Sequence, residues 1–310
     1  MAKAMAAVVV AAAAAAAGSL FVSNPERAAT LSGLPCDHLL TPVEVGRVCY
    51  ACCMKLATWN VNGIRARKDE VVAFLERVRP DVLCLQELKA LPEQIPEALS
   101  CLPQYWCYWH GSKGYSGVSL HVHKEHCPDQ PRFWHPEFDH ETRIVIGDIG
   151  GISIASMYVP NGGKNYEAKL GFLRALEDFV ASSRGVGRKL VLCGDVNIAR
   201  MEVDVHPKLR DERVVGQRPE ERAFFARILE KGELCDVGRT LDPANEELFT
   251  WWAPWRNMRQ RNLGWRLDYV LASKDVAAKA VRVTVEREGN TSDHGPVIVE
   301  LELDQSTLSA

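Results

Sequence analysis

The sequence lacks a dominant charge. Across 310 residues, 37 Lys and Arg stand against 40 Asp and Glu, a net charge of −3, so no global field draws the chain to nucleic acid. A nucleic-acid site therefore has to be a local basic patch. Aromatic residues are scarce at 8%, but 47% of residues are hydrophobic and 25% are charged, which excludes intrinsic disorder and collagen and leaves an ordinary soluble core. The ten cysteines are too few and too irregular for a disulfide scaffold, and beyond one cluster near the N-terminus none has paired zinc-ligand spacing. A reducing compartment is the expectation. After residue 53 the chain has no domain-scale linker and no repeat of fixed period.

The first 53 residues differ from the rest. No charge occurs between Lys3 and Glu26, and Val8, Val9 and Val10 run into alanines from Ala11 to Ala17. Three readings compete for this leader. An export signal or anchor accounts for the apolar run, although alanine is weakly apolar and Gly18, Ser19, Asn24 and Pro25 interrupt it. An organellar transit peptide would carry more Arg and Ser. A start assigned too early is the third, because Met54 opens a strand-like segment with no linker before it. Cys49, Cys52 and Cys53 imitate a metal or redox motif, but no second Cys pair lies nearby. The expected organisation is a leader over 1–53 and a single domain over 54–310. Its place is the cytoplasm, or an organelle or exterior if the leader is a targeting segment.

From Met54 a theme recurs: a short apolar strand ends in a polar or acidic residue. The segments 54–60, 81–87, 152–158, 190–195 and 267–271 follow it, each rich in Val, Ile or Leu and suited to strands buried on both faces. Helical spacing places Val71, Val72, Phe74, Leu75 and Val78 on one face, and Phe172, Leu173, Leu176 and Phe179 on another. A third helix is opened by Pro219, carries Phe224, Phe225, Ile228 and Leu229, and stops near Gly232. Mixed strands and helices of this kind point to one compact α/β unit.

Chemistry belongs where such strands end, because loops at one sheet edge gather distant residues. The candidates are Asn60, Glu87, Tyr158, Asn161, Asp195, Asn197, Asp268, Asp293 and His294. Singly, an Asp at a strand end is a turn former or helix cap, and Glu87 is a solvated carboxylate. What changes the reading is that they sit in ordered phrases: WNVNGIR at 59–65, LQELK at 85–89, GDVN at 194–197, WRLDY at 265–269 and SDHGP at 292–296. In that order they resemble the exonuclease III family of apurinic/apyrimidinic endonucleases, within the wider endonuclease/exonuclease/phosphatase superfamily. The resemblance runs from Met54 to about Leu303. It implies a four-layered α/β sandwich, two packed β-sheets flanked by helices.

The resemblance also implies roles. Phosphodiester hydrolysis needs a nucleophilic water, relief of phosphoryl charge and help for the leaving alkoxide. Oxygen donors suit a hard cation, so Mg²⁺ is expected, with Mn²⁺ able to substitute. Glu87 is the implied metal carboxylate, with Asn60, Asp195, Asn197, Asp293 and His294 in the same cluster. Asp195 aligns or deprotonates the water, which requires its pKa to be raised, and Asn197 holds the phosphate. His294, oriented by Asp268, is held protonated to offset phosphate charge. Tyr158 and Asn161 add donors; alone, their segment reads as a strand followed by a Pro-Asn-Gly turn.

A basic and aromatic stretch, 255–266, holds four arginines, two tryptophans and no acid, a local patch suited to phosphates and to the wall left by a missing base. Composition alone also allows a solvated loop over a core Trp. By resemblance Trp251, Trp265 and Leu267 line a pocket for a flipped-out abasic sugar. Arg65, Lys89, Tyr115, Arg143 and Lys164 fall beside the DNA path. Asn62 stands where animal relatives have Asp, so no metal role is assigned to it. His121, His123 and His126 imitate a metal site, but alternation along a strand end explains them better. The implied protein is a monomeric Mg²⁺-dependent enzyme cutting double-stranded DNA 5′ to abasic sites, with activity at 3′ ends and no stable membrane partner. Alternatives are a nonspecific nuclease, a phosphoinositide phosphatase, or a binding relative without catalysis.

Overall fold

Apolar runs too short for helices become strands, and their order fixes where the loops gather. The computed structural model describes residues 52–303; the leader readings lie outside them. In chain order the strands are β1 (Cys52–Asn60), β2 (Val82–Gln86), β3 (Tyr105–Ser112), β4 (Tyr115–His123), β5 (Arg132–Trp134) and β6 (Ile144–Ile149). There follow β7 (Ile152–Tyr158), β8 (Lys189–Asp195), β9 (Leu234–Asp236), β10 (Asp268–Ser273), β11 (Ala280–Val285) and β12 (Val297–Leu303). Two six-stranded sheets result, ordered β11-β12-β1-β2-β4-β3 and β5-β6-β7-β8-β10-β9. In each sheet one central pair is parallel, β1 with β2 and β7 with β8. The other pairings are antiparallel.

The sheets pack face to face through Met54, Leu56, Cys84 and Val118 on one side and Val145, Ile154, Val191 and Cys193 on the other. The helices α1 (Lys68–Val78) and α2 (Glu97–Ser100) cover the outer face of the first sheet, where Phe74 and Leu99 meet Trp59 and Leu85. The helices α3 (Tyr166–Gly185) and α4 (Pro219–Gly232) cover the second, where Leu173, Leu176, Val180, Phe225 and Ile228 meet Ala155, Met157 and Leu192. Each such large side chain, fully buried, contributes about 1.5–3 kcal/mol. This is the expected four-layered sandwich.

Local signals explain the helix ends. Asn165 caps α3 by accepting from the Ala168 N–H at 3.0 Å, and Pro219 opens α4 where its missing N–H costs nothing. The buried stripe of α3 differs from the expected one: Phe172 and Phe179 are only partly buried and pack on Phe138 of the β5–β6 loop, while Val180 enters the core. The histidine motif does not assemble. His121 bonds Ser119 at 2.8 Å, His123 packs edge-on to Tyr105, and His126 meets Asp81 at 3.2 Å. Burial pushes His121 down to about 3.

Candidate active site

Strand direction assembles the site. Because β1 and β2 are parallel, Asn60 and Glu87 emerge at the same edge, and the β7–β8 pair does the same for Tyr158 and Asp195. β10 runs antiparallel to β8 and β12 antiparallel to β1, so their starting ends, with Asp268 and the Asp293–His294 loop, arrive there too. Asp268 and Asp195 are register partners. Gly194, at φ 141, is required immediately before Asp195, because a Cβ there would strike the Met157 carbonyl of β7. Glu87, Lys89, Asn62 and Asn197 all adopt left-handed backbone, with φ between 45 and 54. For Glu and Lys that conformation is costly, and such strain concentrates at functional sites.

Asp195 is fully buried and heavily engaged. Oδ1 accepts from the Asn197 N–H at 2.8 Å, and Oδ2 accepts from Asn60 Nδ2 at 2.9 Å and Asn197 Nδ2 at 3.2 Å. Burial, reinforced by the neighbouring carboxylates of Asp268 and Glu87, pushes it up to about 7 despite the opposing pull of His294. His294 Nδ1 lies 2.8 Å from Asp268 Oδ2 and its Nε2 3.8 Å from Asp195 Oδ2. Burial opposes its positive charge, but Asp268 and Asp195 outweigh burial and raise it to about 10. A carboxylate poised near neutrality beside an imidazolium is the arrangement a general base needs next to a phosphoryl group.

The opposite side of the site is an oxygen-rich cradle. Glu87 accepts from Asn60 Nδ2 at 3.0 Å and meets Lys89 Nζ at 2.7 Å. Burial works against its charge, yet the hydrogen bonds from Lys89 and Asn60 hold it below the usual range. Lys89 also donates to Asn62 Oδ1 at 2.6 Å, and Asn62 Nδ2 donates to Asp293 Oδ1 at 2.8 Å. Asp293 accepts from Trp251 Nε1 at 2.9 Å as well. The Lys89 ammonium thus stands where a cation neutralises the Glu87 carboxylate, and its side chain is half-exposed. Glu87 and Asp293 carry carboxylate oxygens of the kind a hard divalent ion takes, and Asn60 turns its Nδ2 to Glu87 while its Oδ1 accepts from the Asn62 N–H at 3.0 Å.

The two roles expected of His294, cation and metal ligand, exclude each other, since a protonated imidazole has no free lone pair. Asp195, Asp268 and His294 offer ligand atoms within 4.8 Å of one another, but their charges favour the imidazolium. Asn197 is likewise engaged on all sides: its Oδ1 accepts from Asn161 Nδ2 at 3.0 Å and its Nδ2 donates to Val159 O at 2.9 Å. Burial and the nearby Glu87 and Asp195 carboxylates raise the Tyr158 phenol, so it stays a donor.

Trp251, Trp265 and Leu267 come together beside this cluster. The indoles of Trp251 and Trp265 meet edge-on with centroids 5.5 Å apart, and a backbone bridge joins Trp251 to His294. Thr250 Oγ1 accepts from the N–H groups of both Leu267 and Asp268, at 2.9 and 3.0 Å, tying the residue before Trp251 to the start of β10. The arginine stretch divides. Trp255, Arg256 and Arg261 are exposed, whereas Arg259 donates to Asn290 and Ser292, and Arg266 is buried between Asp204 and Asp236. Arg266 is therefore structural and not part of a DNA-facing patch. Arg143 is also buried, with its guanidinium 5.0 Å from both the Tyr115 and Tyr158 rings; it braces them and presents little surface itself. Tyr115, Arg65, Asn161 and Lys164 are exposed near the same edge.

Sequence reading missed Lys169. It is fully buried on α3, where its Nζ meets Glu221 Oε1 at 2.5 Å and donates to Asn197 O at 2.8 Å and Asn161 O at 3.2 Å. Burial lowers its pKa against the attraction of Glu221. Glu221 in turn accepts from the Gly216 and Arg218 N–H groups at 2.6 and 3.1 Å. The signal available was a lysine on the otherwise apolar face of α3, the face carrying Leu173 and Leu176.

Comparison with known proteins agrees with this geometry. The DNA repair nuclease APEX1 of Danio rerio is 32% identical over 256 residues, covering 80% of this chain and 82% of its own. Among solved structures, an AP endonuclease from Archaeoglobus fulgidus is 30% identical with a TM-score of 0.72, covering 81% of this chain and 100% of that one. A 3′ phosphatase from Neisseria, solved bound to a product DNA hairpin, is 32% identical with the same TM-score, covering 80% and 99%. Residues 57–294 match the Endonuclease/Exonuclease/phosphatase family across both sheets and every strand end described above, and the chain belongs to that family.

Proposed function

We propose that this chain is a DNA repair phosphodiesterase that hydrolyses the backbone 5′ to abasic sites, leaving a 3′-hydroxyl and a 5′-deoxyribose phosphate, and that it also trims 3′ ends. The observation that carries the reading is Asp195, buried with its pKa pushed up to about 7, facing the His294–Asp268 pair and flanked by the Trp251–Trp265–Leu267 wall. Asp195 takes a proton from the attacking water, whose oxygen bonds phosphorus as the P–O3′ bond breaks, and the departing O3′ takes a proton from solvent water to become the 3′-hydroxyl. His294 offsets the charge that gathers on the phosphoryl oxygens, and Tyr158 and Asn161 donate to them. A hard divalent ion, Mg²⁺ or Mn²⁺ held by Glu87, Asn60 and Asp293, supplies Lewis-acid charge when bound.

Selectivity follows from the wall. A pocket of two indoles and Leu267 suits an apolar sugar face, and a nucleotide with no base costs little to extrude. One chain contains every group the reaction uses, so we propose that a monomer suffices. The test is a labelled duplex with one tetrahydrofuran abasic analogue beside its undamaged counterpart, with Mg²⁺ and with EDTA. The analogue cannot undergo β-elimination, so a Mg²⁺-dependent cut at its 5′ side is the expected result. No cut there, with turnover of undamaged DNA or of a phosphoinositide, overturns the substrate assignment and leaves the family intact.

A further inference from the structure

A second cluster of ligating side chains shares no residue with the active-site carboxylates and lies behind Arg143, where the edge of one sheet approaches the loop of the other. His110 comes from β3; His135 and Asp139 come from the β5–β6 loop. Each offers one ligand atom, and the three atoms lie within 4.8 Å of one another. His110 Nε2 is 2.6 Å from Asp139 Oδ2, and the His110 and His135 rings stack 4.5 Å apart at 7°. Two imidazoles and one carboxylate are the donor set of a three-ligand transition-metal site, in which water completes the shell.

The surroundings support a ligand more than a structural contact. The Asp139 side chain is fully buried, and its second oxygen accepts from the Arg143 N–H at 2.8 Å. Such a bond fixes a ligating carboxylate from behind. His135 is exposed, so its ring can turn out of the stack and aim a nitrogen at an ion that would replace the hydrogen bond joining His110 to Asp139. The donors are nitrogen-rich, unlike the oxygen set at Glu87, Asn60 and Asp293, so the two places select different metals.

We propose that His110, His135 and Asp139 bind one divalent transition-metal ion of the zinc class, tying the edge strand β3 to the β5–β6 loop beside the Arg143–Tyr115–Tyr158 stack. This rests on no step of the reaction proposed above. The test is titration of the chelator-treated full chain with Co²⁺ under excess Mg²⁺, followed by visible absorption, for the native chain, His135→Ala and Asp139→Asn. The native chain should take up one equivalent with a d–d band and no thiolate charge-transfer band, and Zn²⁺ should displace it. His135→Ala, whose exposed ring only stacks, should keep the metal-free melting temperature yet bind at least tenfold more weakly, and Asp139→Asn should also bind more weakly. Uptake unchanged in both variants, a thiolate band in its place, or no uptake by the native chain overturns the proposal.

Discussion

Asp195 and Asp268 face each other as register partners on β8 and β10, and His294 sits between them, 2.8 Å from Asp268 and 3.8 Å from Asp195. Two carboxylates buried so close repel, and the ring between them relieves that repulsion by staying protonated. The sharing is uneven: Asp268 holds the imidazole directly, whereas Asp195 lies farther from it and takes the amide donors of Asn60 and Asn197 in its place.

Asp195→Asn preserves shape but cannot accept a proton, and its amide nitrogen replaces one of the two oxygens that accept from Asn60 and Asn197. Cleavage should fall by about 10²–10⁴-fold, the range for loss of a general base, while affinity for the abasic duplex stays within a few-fold. Single-turnover cleavage beside equilibrium binding checks this. A parallel loss of both would reassign Asp195 to binding.

The pH profile has two limbs. kcat/KM should rise as pH passes about 7, where Asp195 ionises, and fall as it passes about 10, where His294 loses its proton. Stability carries the sign of His294 separately. Its folded-state value of about 10 stands above the ordinary 6.5, so the charged ring stabilises the fold fully below 6.5 and that contribution is lost as pH rises through 10. Urea unfolding of native chain and His294→Gln should therefore differ more below pH 6.5 than above pH 10.

Trp251→Phe keeps an aromatic wall but deletes the 2.9 Å bond from the indole to Asp293. Asp293 is held below the usual carboxylate range with burial opposing its charge and His294, Trp251 and Asn62 supporting it. Freed of one donor, it should bind its ion less well. The Mg²⁺ concentration for half-maximal cleavage should rise, by up to the roughly 10–100-fold seen when partners of metal ligands are removed, with maximal rate little changed. A drop in maximal rate at unchanged Mg²⁺ demand would place Trp251 in the sugar pocket alone.

The strands that carry the site were legible because a buried run adjoins a polar site residue, at or just past the last residue of β1, β2, β7 and β8 and at the first residue of β10, and all five lie within two residues of their expected bounds at both ends. The order of strands in the sheets was not legible, since pairings such as Met54 with Leu301 or Asp195 with Asp268 join residues far apart in sequence and leave no local period. Arg266 shows the same limit. Its neighbours in a basic stretch favoured a surface role, and only Asp204 and Asp236, distant in sequence, turn it inward. Conversely the left-handed backbone at Glu87 and Lys89 has no sequence signal, because neither residue favours it.

Lys169 gives the most direct test of how the scaffold sets the site. Its ammonium holds the carbonyls of Asn161 and Asn197 while pairing with Glu221, and neither partner is exposed. Lys169→Met leaves the Glu221 carboxylate buried without its cation, which should cost about 3–5 kcal/mol in unfolding free energy. Adding Glu221→Gln removes the stranded charge while keeping an acceptor for the Gly216 and Arg218 N–H groups, so the double variant should recover part of that loss. Urea unfolding of both variants measures the recovery. In the double variant, folded but without the clamp on Asn197, cleavage should remain below the native rate, and full return of activity would show that Asn197 needs no support from α3.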